Sequence, residues 1–215
     1  MNLKDLFTQC VSRTYQNTLT QVSYATERFG KELRIWFEAS NGALDWMRNL
    51  NFPARPYGDC KSLWFCHRGF LGAWKEVRPF LAEQISAPDI DHITVTGYSH
   101  GAAVALLCHE YAVFHRPDIA DRINGFGFGC PRVVWGPTPR AVQNRFLRFL
   151  VIRNLEDLVT HLPPAFLGFH HVSPVLEIGQ KGRYSATDAH RPEHYLHELH
   201  DLSPITETRS LFGTM

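Results

Sequence analysis

The apolar and polar positions of this chain change period repeatedly. Ile93-Thr94-Val95-Thr96 is a short β-branched stretch that reads as a buried strand. Ala102 to Leu107 follows it as a solid apolar run that reads as the start of a helix. Leu33 to Phe37, Leu63 to His67, Ile123 to Cys130, Phe149 to Ile152 and Val172 to Ile178 read as further strands. Between them, Ala43, Trp46, Met47 and Leu50 recur at i, i+3, i+4 and i+7, which predicts an amphipathic helix over 41–50. Helices are also predicted over 70–85, 100–115, 139–146 and 193–202. Near the start, Leu6, Phe7, Val11, Tyr15 and Leu19 recur at roughly helical spacing. They predict one or two helices within residues 3–28, ending near Gly30. Asn51 to Asp59, with Pro53, Pro56 and Gly58, reads as a loop, and 162–170 as a proline-aromatic loop. Strands alternating with helices predict an α/β fold with a mainly parallel central sheet and helices on both faces.

Composition narrows the picture. The chain has 215 residues, 44% hydrophobic and 20% charged, which suits one domain over 1–215 with a full core. Its net charge is +1 and its basic residues are scattered, so no nucleic-acid partner is expected. Met1 to Leu6 shows no apolar signal core, and no stretch is long enough to span a bilayer. The five cysteines are odd in number and form no C-x-x-C. Together these predict a reduced, cytoplasmic protein, or a secreted one if a leader has been trimmed; a Cys60–Cys66 bridge stays open. His190, His194 and His197 share a spacing that a metal could use, but H-E-x-x-H is absent and Pro192 starts a helix only after His190. No metal and no cofactor are expected.

The chemistry sits between the strand at 93–96 and the helix that follows. Gly97-Tyr98-Ser99-His100-Gly101 places a serine at the apex of a strand-to-helix turn, the nucleophile elbow. A serine hydroxyl is a weak nucleophile and must stand beside a base and beside backbone donors. Glycines two residues either side remove Cβ atoms that would clash in so sharp a turn. The acid and base should follow in the order serine, acid, histidine, beyond the carboxyl ends of later strands. Glu156 and Asp157 are the acid candidates, and His161, His170, His171, His190, His194, His197 and His200 the candidate bases. Residue types and order do not choose among them.

Several motifs in the right order resemble the class 3, fungal-type lipases, across roughly residues 33–200. Val95 to Gly101 looks like the nucleophile segment of that family, and Phe128-Gly129-Cys130-Pro131-Arg132-Val133 resembles its F-G-x-P-R-V. Arg153 to Pro164 looks like the acid segment N-x-x-D-x-V-x-x-L-P-P, which carries the acid onto Asp157. His190-Arg191-Pro192-Glu193-His194-Tyr195 resembles H-x-P-x-x-Y, whose first histidine is the base; His190 is therefore assigned, with His194 as runner-up. His67-Arg68-Gly69-Phe70 looks like the family's H-x-G-F, where the histidine is structural. Phe37-Glu38-Ala39-Ser40 stands where the family has F-R-G-[ST], so the resemblance implies Ser40 as one oxyanion donor and the backbone N–H of His100 as the other. Asn41 to Leu50 resembles the lid segment. Trp46, Met47 and Leu50 would cover an acyl site, with Leu162 and Phe166 in its wall.

The resemblance implies an α/β-hydrolase that cleaves carboxylic esters, favouring acylglycerol or other lipid esters, through an acyl-enzyme. Its partner would be a lipid or ester substrate at a lipid–water interface. A small-ester carboxylesterase is the alternative, because the chain is short and its lid slight. A lipase-like domain that binds a partner without catalysis is the other; the altered Glu38-Ala39 loop favours it, and the joint presence of Ser99, Asp157 and His190 opposes it.

Overall fold

The computed structural model describes residues 2–18, 22–38, 53–202 and 212. In chain order these form α1 (Leu3–Ser12), β1 (Gln16–Asn17), β2 (Ser23–Phe29), β3 (Glu32–Phe37), β4 (Ala54–Pro56), β5 (Phe65–His67) and α2 (Arg68–Ser86). Next come β6 (His92–Tyr98), α3 (His100–His115), β7 (Ile123–Phe128), β8 (Val134–Trp135), α4 (Arg140–Arg145) and β9 (Phe149–Asn154). The chain then runs through β10 (Phe169–His170) and β11 (Val175–Ile178) to α5 (Pro192–Asp201). The main sheet has seven strands in the order β1-β2-β3-β6-β7-β9-β11. From β3 to β11 every neighbouring pair is parallel, while β1 and β2 join antiparallel.

Side chains alternate across this sheet and feed two cores. Leu33, Ile35, Phe37, Val95, Phe149 and Val151 point to one face, where they pack with α2 and α3. Trp36, Phe126, Phe128, Leu150 and Ile152 point to the other, where they meet Leu3, Leu6 and Phe7 of α1 and Tyr195 and Leu199 of α5. The central strands β3, β6, β7 and β9 are therefore buried on both faces over most of their length, as a parallel sheet covered by helices requires. Helix α3 is apolar nearly all round, and Gly101 to Glu110 are all buried, because it lies between the sheet and α2.

Two expectations are corrected. The predicted helix over residues 3–28 stops at Ser12, and Ser23–Phe29 is an antiparallel strand whose residues Tyr24 to Phe29 pair with Phe37 to Glu32. The stretch reads as polar because its charged end is an exposed edge. Glu27 faces Arg34 across the pair and also bridges Arg13 at 2.9 Å. Pairing with a buried neighbour outweighs helical spacing in a chain segment this short. The strand read at 63–67 does exist, but it belongs to a separate antiparallel sheet of order β10-β8-β5-β4. All five cysteines are free, so Cys60 and Cys66 are not bridged. Among the described residues no helix is long and apolar enough to cross a membrane.

Candidate active site

Strand β6 ends at Tyr98 and helix α3 begins at His100, which leaves Ser99 alone to make the turn. Its φ of 56° and ψ of −124° are costly for a residue with a side chain, and among the described residues it is the one non-glycine with positive φ. The surroundings hold it there: the Ser99 N–H donates to the Phe128 carbonyl of β7 at 2.9 Å. A Cβ at Gly97 would come within 2.3 Å of the Gly101 carbonyl oxygen, and one at Gly101 within 2.4 Å of the Phe37 and Glu38 carbonyl oxygens. The elbow glycines are therefore required by contact with backbone that has no room to retreat.

Two further loops converge on Ser99. Asp157 lies three residues beyond β9, and His190 lies two residues before α5. The Asp157 side chain is fully buried, and His190 Nδ1 is 2.8 Å from its Oδ2. A carboxylate can only accept, so Nδ1 carries the proton and Nε2 is left with its lone pair. That lone pair lies 2.8 Å from Ser99 Oγ, the position from which it accepts the hydroxyl proton. The sequence order and the geometry are those that acyl transfer uses. Of the candidate acids, Asp157 takes this place. Its other oxygen accepts the Val159 N–H at 2.9 Å. His194, the runner-up base, is occupied elsewhere: its Nδ1 lies 2.7 Å from the Asp188 carbonyl and its ring stacks on Tyr184.

Two tyrosines surround the relay. The Tyr195 hydroxyl donates to Asp157 Oδ2 at 2.6 Å and accepts the Asn154 N–H at 3.1 Å. Burial first, and the Asp157 charge second, push this phenol well above its ordinary pKa, so it stays a donor. Tyr98 donates its hydroxyl to the His190 carbonyl oxygen and lays its ring against the imidazole. Sequence reasoning quoted both residues inside motifs but drew no chemistry from them. The signal was available: each stands beside a candidate catalytic residue with a hydroxyl that needs a partner when buried. Arg132 was also passed over. Its backbone N–H donates to the Leu162 carbonyl at 2.7 Å and its guanidinium to the His161 and Pro163 carbonyls, which braces the loop after Asp157.

The His100 N–H occupies the first position of α3, where no helical acceptor exists, so it is available to an oxyanion. The His100 imidazole packs on Phe70, and burial lowers its pKa to about 4. It is therefore neutral at pH 7. His67 is likewise pushed down to about 4, chiefly by burial and secondly by His100. Its Nδ1 accepts the Phe70 N–H at the start of α2, a structural role. Leu162 is half-buried and Phe166 is 86% exposed. Ser40, Trp46, Met47 and Leu50 lie outside the described residues. Among the described residues no group of three or more His, Cys, Asp or Glu side chains could hold a metal.

Gly129 packs behind the relay with φ +58°. A Cβ there would stand 2.8 Å from His190 Cε1 and 3.1 Å from Asp157 Oδ2. Gly129→Ala is expected to displace the imidazole and lower ester turnover by about 10²-fold, the usual cost of roughly 1 Å of misplacement. Initial rates on a p-nitrophenyl ester, read beside the melting temperature, check this.

A mainly parallel sheet, an elbow serine and a histidine–aspartate pair define an α/β-hydrolase with a serine-triad arrangement. A family model described as lipase (class 3) matches residues 34–167, and the chain belongs to that family. That stretch contains Ser99 and Asp157, and His190 lies beyond it. The secreted mono- and diacylglycerol lipase 1 of Fusarium solani is 30% identical over 164 residues, 70% of this chain and 45% of that one. A lipase of Rhizomucor miehei is 31% identical over 147 residues, 66% of this chain and 40% of that one. A triacylglycerol lipase whose catalytic centre is formed by a serine protease triad shares the fold, with a TM-score of 0.71 at 22% identity. That match covers 82% of this chain and 77% of that one. The chain spans less than half the length of the curated relatives just described. The Fusarium relative is a secreted enzyme, which corrects the expectation of a cytoplasmic protein. That expectation rested on the polar first residues and the cysteine count, and neither reports a compartment.

Proposed function

We propose that this protein is a serine hydrolase that cleaves carboxylic esters of lipids, acylglycerols first among them, through an acyl-enzyme. The observation that carries this is the unbroken relay from Ser99 Oγ to His190 to Asp157, each contact at 2.8 Å. Ser99 attacks the ester carbonyl while His190 Nε2 takes its proton. Asp157 holds Nδ1–H and offsets the charge of the imidazolium. The His100 N–H, with Ser40 as the second donor, receives the charge that develops on the carbonyl oxygen. The protonated imidazole then passes its proton to the leaving alcohol. Water, activated by the same base, releases the acid and restores Ser99. Residues 1–215 act as one domain in this reading, with the lid near 41–50 and Leu162 and Phe166 beside the acyl chain.

Lipid esters are favoured over small esters because the family is that of lipases and the Fusarium relative is a mono- and diacylglycerol lipase. The exposed Phe166 and Leu167, beyond the acid loop, support a substrate met at a lipid–water interface. The secreted relative supports action outside the cytoplasm. Rates on p-nitrophenyl or glyceryl esters of increasing acyl length, below and above the solubility limit, test the reading. A rise in rate once the substrate forms an interface is the expected result. Turnover of soluble short esters with no such rise moves the assignment to a carboxylesterase. No turnover of any ester overturns it.

A further inference from the structure

We propose that Tyr98 is a positioning residue for the general base, holding His190 at two points: by its hydroxyl on the main-chain carbonyl and by its ring face on the imidazole. The proposal rests on the catalytic reading of Ser99 and His190. Tyr98 stands just before the nucleophile, at the end of β6. Its hydroxyl donates to the carbonyl oxygen of His190, 92 residues later in the chain. Its ring lies nearly parallel to the imidazole, with centroids 5.2 Å apart and planes at 22°. Among the described residues the hydrogen bonds of the imidazole are those of its two nitrogens, to Asp157 and Ser99. Those contacts leave the ring free to rock about the line that joins them. The tyrosine face closes that freedom, and the hydroxyl ties down the backbone from which the ring hangs.

Tyr98 is itself held. It is 6% exposed, and Phe7 of α1 meets it edge-on at 5.3 Å while also touching Phe128 and Tyr195. Burial keeps its phenol protonated and therefore a donor. The near-parallel ring also faces the imidazolium that forms when Ser99 gives up its proton, a favourable cation–π contact in the transition state only.

Tyr98→Phe and Tyr98→Leu test this in the full chain. Tyr98→Phe keeps the ring and loses the hydroxyl contact; kcat on a soluble p-nitrophenyl ester should fall about tenfold with KM within about twofold, as for a base that is less well placed while substrate binding is untouched. Tyr98→Leu should fall about a further tenfold, on the order of what ring contacts of this kind contribute when desolvated. In the proton NMR spectrum, the downfield Nδ1–H resonance shared by His190 and Asp157 should broaden or shift in Tyr98→Phe. Melting temperatures serve as the folding control. Unchanged kcat together with an unchanged downfield resonance in Tyr98→Phe overturns the proposal, as does a change in KM alone. Wild-type protein that turns over no ester sinks the catalytic reading. In that case, a resonance that still responds to Tyr98→Phe shows the grip on His190 separately, and one that does not respond overturns the grip as well.

Discussion

Ser99→Ala is expected to lower ester turnover by about 10⁴-fold or more while leaving the fold intact. Nothing else at the elbow can replace the hydroxyl. Cys130 is fully buried, its thiol is pushed well up by burial, and no turn presents it. Among the described residues the serine is the one non-glycine with positive φ, yet alanine meets the same steric demand at φ 56°. The melting temperature should therefore move little, and the loss of rate should fall almost wholly on kcat. Circular dichroism of the variant, with turnover of a p-nitrophenyl ester, checks both halves. Turnover within tenfold of the wild type would remove Ser99 from the mechanism.

Asp157→Asn should cost about 10⁴-fold as well, for a different reason. Asp157 Oδ2 accepts from both His190 Nδ1 and the Tyr195 hydroxyl, while Oδ1 accepts the Val159 N–H. An asparagine can match only part of this set. With its oxygen toward His190, its amide group faces the Val159 N–H, donor against donor. With its amide toward His190, Nδ1 must give up its proton, and Nε2 then carries one and cannot accept from Ser99. The first arrangement loses stability and the second loses catalysis. Because the group is fully buried, a mispaired polar atom there costs about 1–3 kcal/mol. The variant should therefore melt at a lower temperature as well as turn over slowly, unlike Ser99→Ala. Comparing the two melting curves separates a nucleophile from a buried orienting group.

The elbow was readable from sequence because its demands are local. A β-branched run, two glycines around a serine and an apolar helix start all lie within about fifteen residues, and the structure folds them as one turn. Asp157 and His190 were different. Seven histidines follow the acid candidates, and which of them reaches Ser99 depends on how α5 docks on the sheet, a question that spacing alone does not answer. Only the motif resemblance separated His190 from His194; in the structure His190 Nε2 lies 2.8 Å from Ser99 Oγ, and His194 Nδ1 lies against the Asp188 carbonyl. The tyrosines were missed for the same reason carried further. The partner of Tyr98 lies 92 residues away and that of Tyr195 lies 38. A hydroxyl in sequence says that it will seek a partner but not which one. The error over residues 3–28 runs the other way, since a locally plausible helical spacing gave way to pairing with β3. The oxyanion donor Ser40 and the lid at 41–50 stay expectations, because those residues lie outside the ones described.

The groups of the site hang from the ends of neighbouring parallel strands: Ser99 beyond β6, Gly129 beyond β7, Asp157 beyond β9. Their mutual spacing is thus inherited from strand separation and register, which the backbone ladder sets regardless of what the intervening loops contain. Extra sequence spliced into the crossovers or added beyond α5 leaves that frame untouched. A chain whose match spans under half of its curated relatives can accordingly keep the strand-end frame that holds Ser99, Gly129 and Asp157. In this fold the variable parts, those that decide which ester is reached and where, are free to be lengthened, trimmed or exchanged without re-evolving the chemistry.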